Sequence, residues 1–406
     1  MTAPFDWLDD GGITAPKGFQ ASGLHAGLKR NHKDLALVFS EVPGAAAGVF
    51  TTNKVKGAPL LVSMPRVRAG LLQALIVNSG NANTCNGAAG LEDARAMGRL
   101  AAEALKIPEN LVLVGSTGVI GRRLPLAEIA AGIPKAVAEL SPAGGMDAAE
   151  AIMTTDTVPK QAALRFEPGN GEPPVTIGGI AKGSGMIHPD MATMLAFIVT
   201  DAQIEAPALQ EALRVAVDRS FHMISVDGDT STNDMVVVLA NGRSGGAALD
   251  SDTERFDRFQ EALTAVCARL ARMIARDGEG ATRLLEVRVQ GARTERDARL
   301  AARAIISSSL VKTAVFGNDA NWGRIICAAG YSGASFDPDR FDVYLGDLLV
   351  AKDGGGLEFD EEQAGRILAR DPVVVTVDFR EGGGATTAWG CDFSYDYVRI
   401  NANYRT

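Results

Sequence analysis

The sequence has few of the residues that form disulfides or bind metal ions. Only four of its 406 residues are cysteine and four are histidine. The cysteines lie far apart and form no CxxC pair, so we expect neither a structural zinc site nor a disulfide framework; they are Cys85, Cys267, Cys327 and Cys391. The histidines show no metal-ligand spacing. The chain is therefore predicted to work without a metal ion, and its cysteine content is typical of a reducing compartment.

Positive charge and long apolar runs are also scarce. The chain has 40 Lys and Arg residues against 49 Asp and Glu residues, a formal net charge of -9 at pH 7. Nucleic-acid-binding proteins usually carry an excess of positive charge, so this class is excluded. No apolar run reaches the ~18 residues that a membrane-spanning helix needs. Residues 1–18 lack the pattern of a secretory or organellar leader, so we expect a cytoplasmic protein.

Glycine is present in excess, with 45 residues, within a mixed α/β pattern of short apolar runs and amphipathic stretches. The apolar runs predict strands at 74–79, 111–116, 195–200, 235–240, 284–289, 341–350 and 373–379. Apolar residues three and four apart predict helices at 91–105, from 207 onward and at 252–274, the last with Asp252 as N-cap. Pro173, Pro174 and the glycines of 178–185 predict a domain boundary. The alternating tail YDYVRINANYRT (395–406) predicts a strand.

The segment AKGSGMIHPDMATMLAFIVTDA, residues 181–202, places a threonine at the start of a predicted strand, behind a glycine-rich loop. Thr193 in this position suits an N-terminal nucleophile, whose hydroxyl attacks the carbonyl of Ala192 and breaks the chain. The freed α-amine titrates near ~7.7–8.0, which suits a general base at neutral pH. An ordinary strand threonine is the alternative. His188 is a weaker candidate, because a histidine beside a proline is more often a loop residue.

Two other polar segments could take part in chemistry. GSTGVIG, residues 115–121, follows a predicted strand and combines clustered backbone N–H groups with the hydroxyl of Thr117. Such a cluster can stabilise an oxyanion, although for this segment alone a plain strand turn is the better interpretation. DGDTSTND, residues 227–234, fails the EF-hand pattern, since Thr232 and Val238 occupy the glycine and glutamate positions. A hydrogen-bonded turn is the better interpretation.

Nine segments, taken in order, carry a family resemblance: ITAPKGF (13–19), NSGNAN (78–83), STGVIG (116–121), MTTDT (153–157), AKGSGMIHPDMATML (181–195), VDGDTSTND (226–234), RDGEGAT (276–282), FGNDANWGRI (316–325) and AWGCDFSYDYVRINANYRT (388–406). Together they resemble the ornithine acetyltransferase family of arginine biosynthesis, also called the bifunctional glutamate N-acetyltransferase family. The resemblance covers essentially the whole chain.

The resemblance implies a role for each matching residue. The self-cleaving nucleophile falls on Thr193, with cleavage after Ala192. The oxyanion donors fall on the hydroxyl of Thr117 and the backbone N–H of Gly118. Substrate contacts fall on Thr193 itself and on Lys182, Glu279, Asn401, Thr406 and one threonine of MTTDT, either Thr155 or Thr157.

The resemblance also implies a fold and a set of products. The fold is a mixed α/β one, with an αββα-like layered core of the N-terminal-nucleophile type and a smaller C-terminal α/β domain from about residue 291. Self-cleavage gives an α chain of residues 1–192 and a β chain of residues 193–406, which assemble as an α2β2 heterotetramer.

The implied reaction is acetyl transfer from N-acetylornithine to glutamate through an acetyl-Thr193 intermediate, without a cofactor. Lys182 suits the α-carboxylate that both substrates share, and Glu279 suits an amine. Acetyl-CoA stays open as a second acetyl donor. The alternative enzyme is an N-terminal-nucleophile hydrolase or aminopeptidase that passes the acyl group to water. The alternative outside catalysis is an amino-acid-binding or regulatory protein.

Overall fold

A computed structural model of the chain describes residues 5–169, 171–188, 194–251 and 253–403. These residues form two units. The larger unit contains residues 5–183, 194–218 and 230–270, and the smaller unit contains residues 184–188, 219–229 and 271–403, each without the gaps just given. None of the helices in this part of the chain has the length and apolarity that a membrane crossing requires.

The described residues form sixteen strands and eleven α-helices. The strands are β1 (Asp6–Trp7), β2 (Phe19–Leu24), β3 (Leu35–Phe50), β4 (Leu71–Asn81), β5 (Val112–Val119), β6 (Lys160–Phe166), β7 (Val175–Lys182), β8 (Leu195–Thr200), β9 (Ile224–Ser225), β10 (Met235–Ala240), β11 (Leu284–Ala292), β12 (Asp342–Leu345), β13 (Leu348–Lys352), β14 (Gly355–Gly356), β15 (Val373–Asp378) and β16 (Gly384–Cys391). The helices are α1 (Ala58–Arg68), α2 (Gly87–Leu105), α3 (Leu126–Ala138), α4 (Gly145–Ala151), α5 (Ala206–Asp218), α6 (Glu254–Arg276), α7 (Glu295–Ser307), α8 (Ser309–Phe316), α9 (Trp322–Gly330), α10 (Glu361–Leu368) and α11 (Tyr395–Ala402).

Most predicted elements are present. β8 and β10 have the predicted bounds, and the predicted helices correspond to α2, α5 and α6. The proposed N-cap of α6, Asp252, lies outside the described residues. The predicted strand 341–350 is two strands, β12 and β13, because Gly346 takes a φ of 55° and reverses the chain between them.

The long strand β3 organises the larger unit. It lies in a nine-stranded sheet of order β1-β6-β7-β8-β10-β3-β4-β5, with β2 also paired to β3. Residues 35–39 of β3 pair with β4 and residues 45–50 pair with β10, with a register shift between Phe39 and Gly44. One continuous strand therefore passes from one part of the sheet to the other.

The two parts of this sheet face each other. A Cβ added to Gly115 of β5 would lie 3.6 Å from Phe197 of β8, and both strands contribute to one apolar core. Helices α2 and α3 cover the outer side of β4 and β5. Leu270 of α6 lies against Gly179 of β7 on the other outer side. This arrangement confirms the expected αββα layering.

The smaller unit has a seven-stranded sheet of order β14-β13-β12-β15-β11-β16-β9. Helices α7 and α9 pack on it and supply Ile305 and Ile325 to a core shared with Val287 and Val375. A second, smaller α/β unit is thus confirmed. Gly291, near which the sequence placed its start, lies inside β11, and the unit's main segment begins at residue 271.

The prediction of a strand at the C-terminal tail is wrong, since residues 395–402 form α11. Ser394 caps this helix, because its Oγ accepts the N–H of Asp396 at 3.2 Å. Asp396 and Arg399, three residues apart, form an ion pair at 2.9 Å. The ring of Tyr397 packs on Phe393 with centroids 4.5 Å apart. A cap and pairs at helical spacing outweigh a short alternation of polar and apolar residues.

Candidate active site

Thr117 and Gly118 lie near the end of β5, where this strand runs parallel to β4. Gly118 has a φ of 129°, and a Cβ added there would lie 2.4 Å from the carbonyl carbon of Gly80. The position therefore requires glycine, and the close approach fixes the direction of the backbone. Thr117 is buried, and its Oγ1 accepts a hydrogen bond from Nζ of Lys182 at 3.5 Å. The hydroxyl proton of Thr117 is thus directed away from Lys182.

Lys182 ends β7 and is only 2% exposed. It belongs to a buried group of charges with Lys160 and Asp156, in which Lys160 Nζ donates to Asp156 at 2.7 Å. Burial by itself raises the pKa of Asp156, but the positive charges of Lys182 and Lys160 reverse this and lower it to about 2. Asp156 is therefore a fixed negative charge that partly balances the two ammonium groups.

The MTTDT segment is the loop between α4 and β6. Asp156 shapes it by accepting the N–H groups of Thr154 at 2.9 Å and of Gly183 at 2.7 Å. Thr155 is half-buried and Thr157 is exposed. Both candidate threonines are therefore sequence neighbours of Asp156, the carboxylate that interacts with Lys182.

The segments NSGNAN and DGDTSTND meet beside Thr117. The side-chain amide of Asn233 donates to the carbonyl groups of Ala82 at 2.6 Å and Ser116 at 2.9 Å. The hydroxyl of Thr84 donates to the amide oxygen of Asn233 at 2.7 Å. The turn interpretation of DGDTSTND was therefore incomplete, because the side chain of Asn233 also joins the ends of β4 and β5.

Sequence reasoning missed Asp234, the last residue of DGDTSTND. Its side chain is fully buried, and Oδ1 accepts the N–H of Met194 at 3.0 Å. The pairing of β10 with β8, which begins at Met235 and Leu195, brings these two residues together. Oδ2 has no hydrogen-bond partner among the described residues. An acidic residue directly before a fully apolar strand was the signal that could have identified it.

The environment of Asp234 favours its neutral form. Burial raises the pKa of this carboxyl well above its usual range, while the N–H of Met194, the charge of Lys182 and the side chains of Ser231 and Thr51 only partly oppose the shift. The hydroxyl of Thr51 donates to the carbonyl of Ser231 at 2.8 Å. A buried carboxyl with a strongly shifted pKa is a recognised sign of a functional site.

In the smaller unit, Glu279 and Asn401 are in direct contact. Glu279 is 7% exposed, and its Oε2 accepts a hydrogen bond from Nδ2 of Asn401 at 2.8 Å. Helix α11 carries Asn401, so the helical tail is what brings this amide to the carboxylate. A Cβ added to Gly185 would lie 2.3 Å from the carboxyl carbon of Glu279, so AKGSG needs its last glycine here.

Asp227 holds the chain just before the predicted cleavage position. Its carboxylate accepts the N–H groups of Met186 at 2.6 Å and Ile187 at 2.9 Å, and Met186 has a φ of 57°. Burial raises the pKa of Asp227, against these hydrogen bonds. Nδ1 of His188 lies 3.3 Å from the Oγ of Ser225. His188 therefore lies beside the hydroxyl of Ser225, and both residues belong to the smaller unit.

Burial and the nearby carboxylates of Asp227 and Glu279 also raise the pKa of Tyr397, which keeps its phenol neutral. The remaining predicted residues, Ala192, Thr193 and Thr406, lie outside the described residues. Among the residues that the structure does describe, no group of three or more His, Cys, Asp or Glu side chains is placed to hold a metal ion.

A sequence model of the ArgJ family matches residues 20–406. The chain is 59% identical over 404 residues to the arginine biosynthesis bifunctional protein ArgJ of Symbiobacterium thermophilum, covering 99% of this chain and 100% of that protein. It is 52% identical over 401 residues to the protein of the same name from Caldanaerobacter subterraneus subsp. tengcongensis, covering 98% and 99%.

A crystal structure of the arginine biosynthesis bifunctional protein ArgJ from Bacillus halodurans is 48% identical, with a TM-score of 0.51. It covers 52% of this chain and 100% of the crystallised chain. The motif resemblance is thereby confirmed, and the chain belongs to the ArgJ family.

Proposed function

We propose that this chain is an N-acetyltransferase of arginine biosynthesis, which moves an acetyl group from N-acetylornithine to glutamate. The observation that carries the proposal is the similarity to arginine biosynthesis bifunctional proteins over the full length of both chains, at 59% identity. The buried pair of Thr117 and Lys182, with Gly118 next to it in β5, supports the proposal, because this combination suits acyl transfer to and from an amino acid.

The first step is self-cleavage between Ala192 and Thr193. The hydroxyl of Thr193 attacks the carbonyl of Ala192, and hydrolysis of the resulting ester frees the α-amine of Thr193. Support comes from the Bacillus halodurans structure, whose crystallised chain matches 52% of this chain over its whole length. That share is close to what a chain of residues 193–406 represents.

Acetyl transfer then follows in two halves. The α-amine of Thr193 accepts the proton of its own hydroxyl, which attacks the acetyl carbonyl carbon of N-acetylornithine. The same proton passes to the departing amine, and ornithine leaves behind an acetyl-Thr193 ester. The amine of glutamate attacks this ester and loses a proton to the α-amine. The α-amine passes that proton to the departing Thr193 oxygen, which gives N-acetylglutamate and restores the free hydroxyl. Because both amines use the same ester, the kinetics are ping-pong.

Both halves pass through a tetrahedral oxyanion. The hydroxyl of Thr117 is suited to donate to it, since its oxygen already accepts from Lys182. The backbone N–H of Gly118 is the second donor, on a backbone that close contact with Gly80 holds in place. Loss of one such donor slows acyl transfer by roughly 10²–10³-fold.

The substrate's charged groups need partners of opposite charge. We assign the α-carboxylate to Lys182 and an amine to Glu279, whose carboxylate Asn401 orients at 2.8 Å. Thr155 or Thr157 and Thr406 complete the proposed contacts. The proposal needs no cofactor.

The proposal extends to how the protein assembles, where in the cell it works and which acetyl donors it uses. The cleaved chains assemble as an α2β2 heterotetramer in the cytoplasm. The word bifunctional in the names of the relatives supports a second acetyl donor, for which acetyl-CoA is the natural choice.

One set of assays tests the function. The purified protein is given N-acetylornithine with and without glutamate, and acetyl-CoA with glutamate, and the products are measured by mass spectrometry. We expect N-acetylglutamate from N-acetylornithine and glutamate, and none from the Thr193→Ala variant. Release of acetate at the same rate with and without glutamate would instead identify a hydrolase.

A further inference from the structure

Lys29 is a half-buried lysine that the mechanism above does not use. It lies in the loop between β2 and β3, and its Nζ donates to the carbonyl groups of Lys33 at 2.9 Å and Met153 at 2.6 Å. Met153 is the first residue of MTTDT. One ammonium group therefore ties the β2–β3 loop to the loop that carries both proposed substrate threonines.

Asp34 builds the loop around Lys29. Its carboxylate accepts the N–H groups of Leu28 at 2.7 Å and Lys29 at 2.9 Å, and it lies 3.1 Å from Nδ1 of His25. Because the carboxylate of Asp34 accepts mainly backbone N–H groups, it only partly neutralises the ammonium group of Lys29. The geometry of the loop thus fixes where the positive charge of Lys29 lies.

Lys29 also belongs to the buried charges around Lys182. Its ammonium interacts with Asp34, Asp156 and Lys182, and Asp156 interacts in turn with Lys160 and Lys182. The ammonium groups of Lys29, Lys160 and Lys182 thus share this region with the side chains of Asp34 and Asp156. Excess positive charge in a region of low dielectric constant binds an anion strongly.

We propose that Lys29 is a positioning residue for the amino-acid substrate, holding the MTTDT loop and adding its charge to that of Lys182 toward the substrate α-carboxylate. The inference rests on the proposed function and identifies the group that sets the pH range of binding. Loss of the Lys29 charge weakens substrate binding and leaves the chemistry at Thr193 in place.

The pH dependence follows from the surroundings of Lys29. Burial lowers its pKa to about 8, with a further contribution from Lys182, while Asp34 and Asp156 oppose the shift. Above this pH the amine is neutral, so the KM for N-acetylornithine should rise. The α-carboxylate of that substrate stays ionised throughout the range, so its own titration does not contribute.

The test compares three variants at pH 6.5–9.5. Lys29→Met removes the charge and both hydrogen bonds, and should raise the KM for N-acetylornithine about 10-fold or more with kcat little changed. Lys29→Arg keeps a charge that does not titrate in this range, and should hold KM flat across pH 8. Lys33→Met is the control, because that lysine pairs instead with Asp147 and Glu150 and should leave KM unchanged.

Thermal unfolding and self-cleavage of each variant verify that it folds. A wild-type KM for Lys29→Met, or a KM that still rises through pH 8 in Lys29→Arg, would overturn the role of Lys29 while leaving the proposed function intact. Absence of acetyl transfer by the wild-type protein would overturn both.

Discussion

Asp156 and Asp234 show how neighbouring residues set the behaviour of a buried carboxyl. Asp156 faces Lys182 and Lys160, and their charges outweigh the effect of burial and lower its pKa to about 2. Asp234 has neutral neighbours apart from the charge of Lys182, and burial outweighs them all and raises its pKa well above the usual range. Two carboxyls with opposite shifts serve different roles. Asp156 supplies fixed charge, whereas the surroundings of Asp234 favour its neutral form.

We expect Asp234→Asn to slow the cleavage of the Ala192–Thr193 bond by about 10²-fold, the usual contribution of a general acid or base. Asparagine keeps an oxygen for the N–H of Met194, so β8 keeps its position and only proton exchange is lost. The measurement is the rate at which freshly made precursor converts into two chains.

The same variant should not be less stable at pH 7. A carboxyl whose pKa is raised on folding stabilises the folded state fully below its unfolded value of ~3.9, and this contribution is lost as pH rises through the folded pKa. Asp201→Asn is the control. Asp201 follows the other end of β8, burial also raises its pKa, and it bonds the N–H of Thr176 at 2.8 Å. If cleavage were slowed in both variants, the effect of Asp234→Asn would come from disturbed packing around β8 and not from loss of a proton-transfer group.

Helix α11 shows how one element positions a side chain. Its Asn401 contacts Glu279, and its cap Ser394 donates to the carbonyl of Gly280, next to Glu279, at 2.5 Å. Ser394→Ala should therefore cost about 1 kcal/mol of helix stability and raise KM for both substrates about fivefold, because Asn401 is held less firmly. Steady-state kinetics and thermal unfolding measure the two effects.

Ser308→Ala is the matched control, because Ser308 caps α8 in the same way by accepting the N–H of Val311 at 3.3 Å. This variant should lose similar stability with an unchanged KM. If Ser308→Ala raised KM as much as Ser394→Ala, the kinetic effect would reflect general loosening of the unit and not the position of Asn401.

For the whole molecule, self-cleavage predicts two chains from one. Residues 1–192 and 193–406 correspond to about 20 and 22 kDa of the 42.5 kDa total, if Thr193 is the nucleophile. Thr193→Ala should run as a single full-length chain, whereas Thr193→Ser keeps a hydroxyl and should still be cleaved. Denaturing electrophoresis and intact-mass spectrometry read the result. Cleavage of the alanine variant at the same bond would contradict the role of Thr193.

The strand and helix pattern could be predicted where local periodicity is strong. β8 and β10 are unbroken apolar runs, and α6 has apolar residues three and four apart, so each reveals its type within its own residues. The alternation in the tail wrongly predicts a strand, because the helix that forms there depends on the Ser394 cap and on contacts such as that of Asn401 with Glu279. Such contacts leave no periodic signal.

Family membership followed from the sequence alone, because short motifs keep their residue types and order whatever the fold around them. The same motifs indicated Thr117, Lys182 and Glu279 as candidate site residues, and these roles stay predictions. The tertiary structure decided which distant residues meet. Asp234 reaches Met194 through the pairing of β10 with β8, and Lys29 reaches Met153, 124 positions away, through a loop folded around Asp34. Their pKa shifts arise from burial and from charges brought close by folding, which no local pattern of residues encodes.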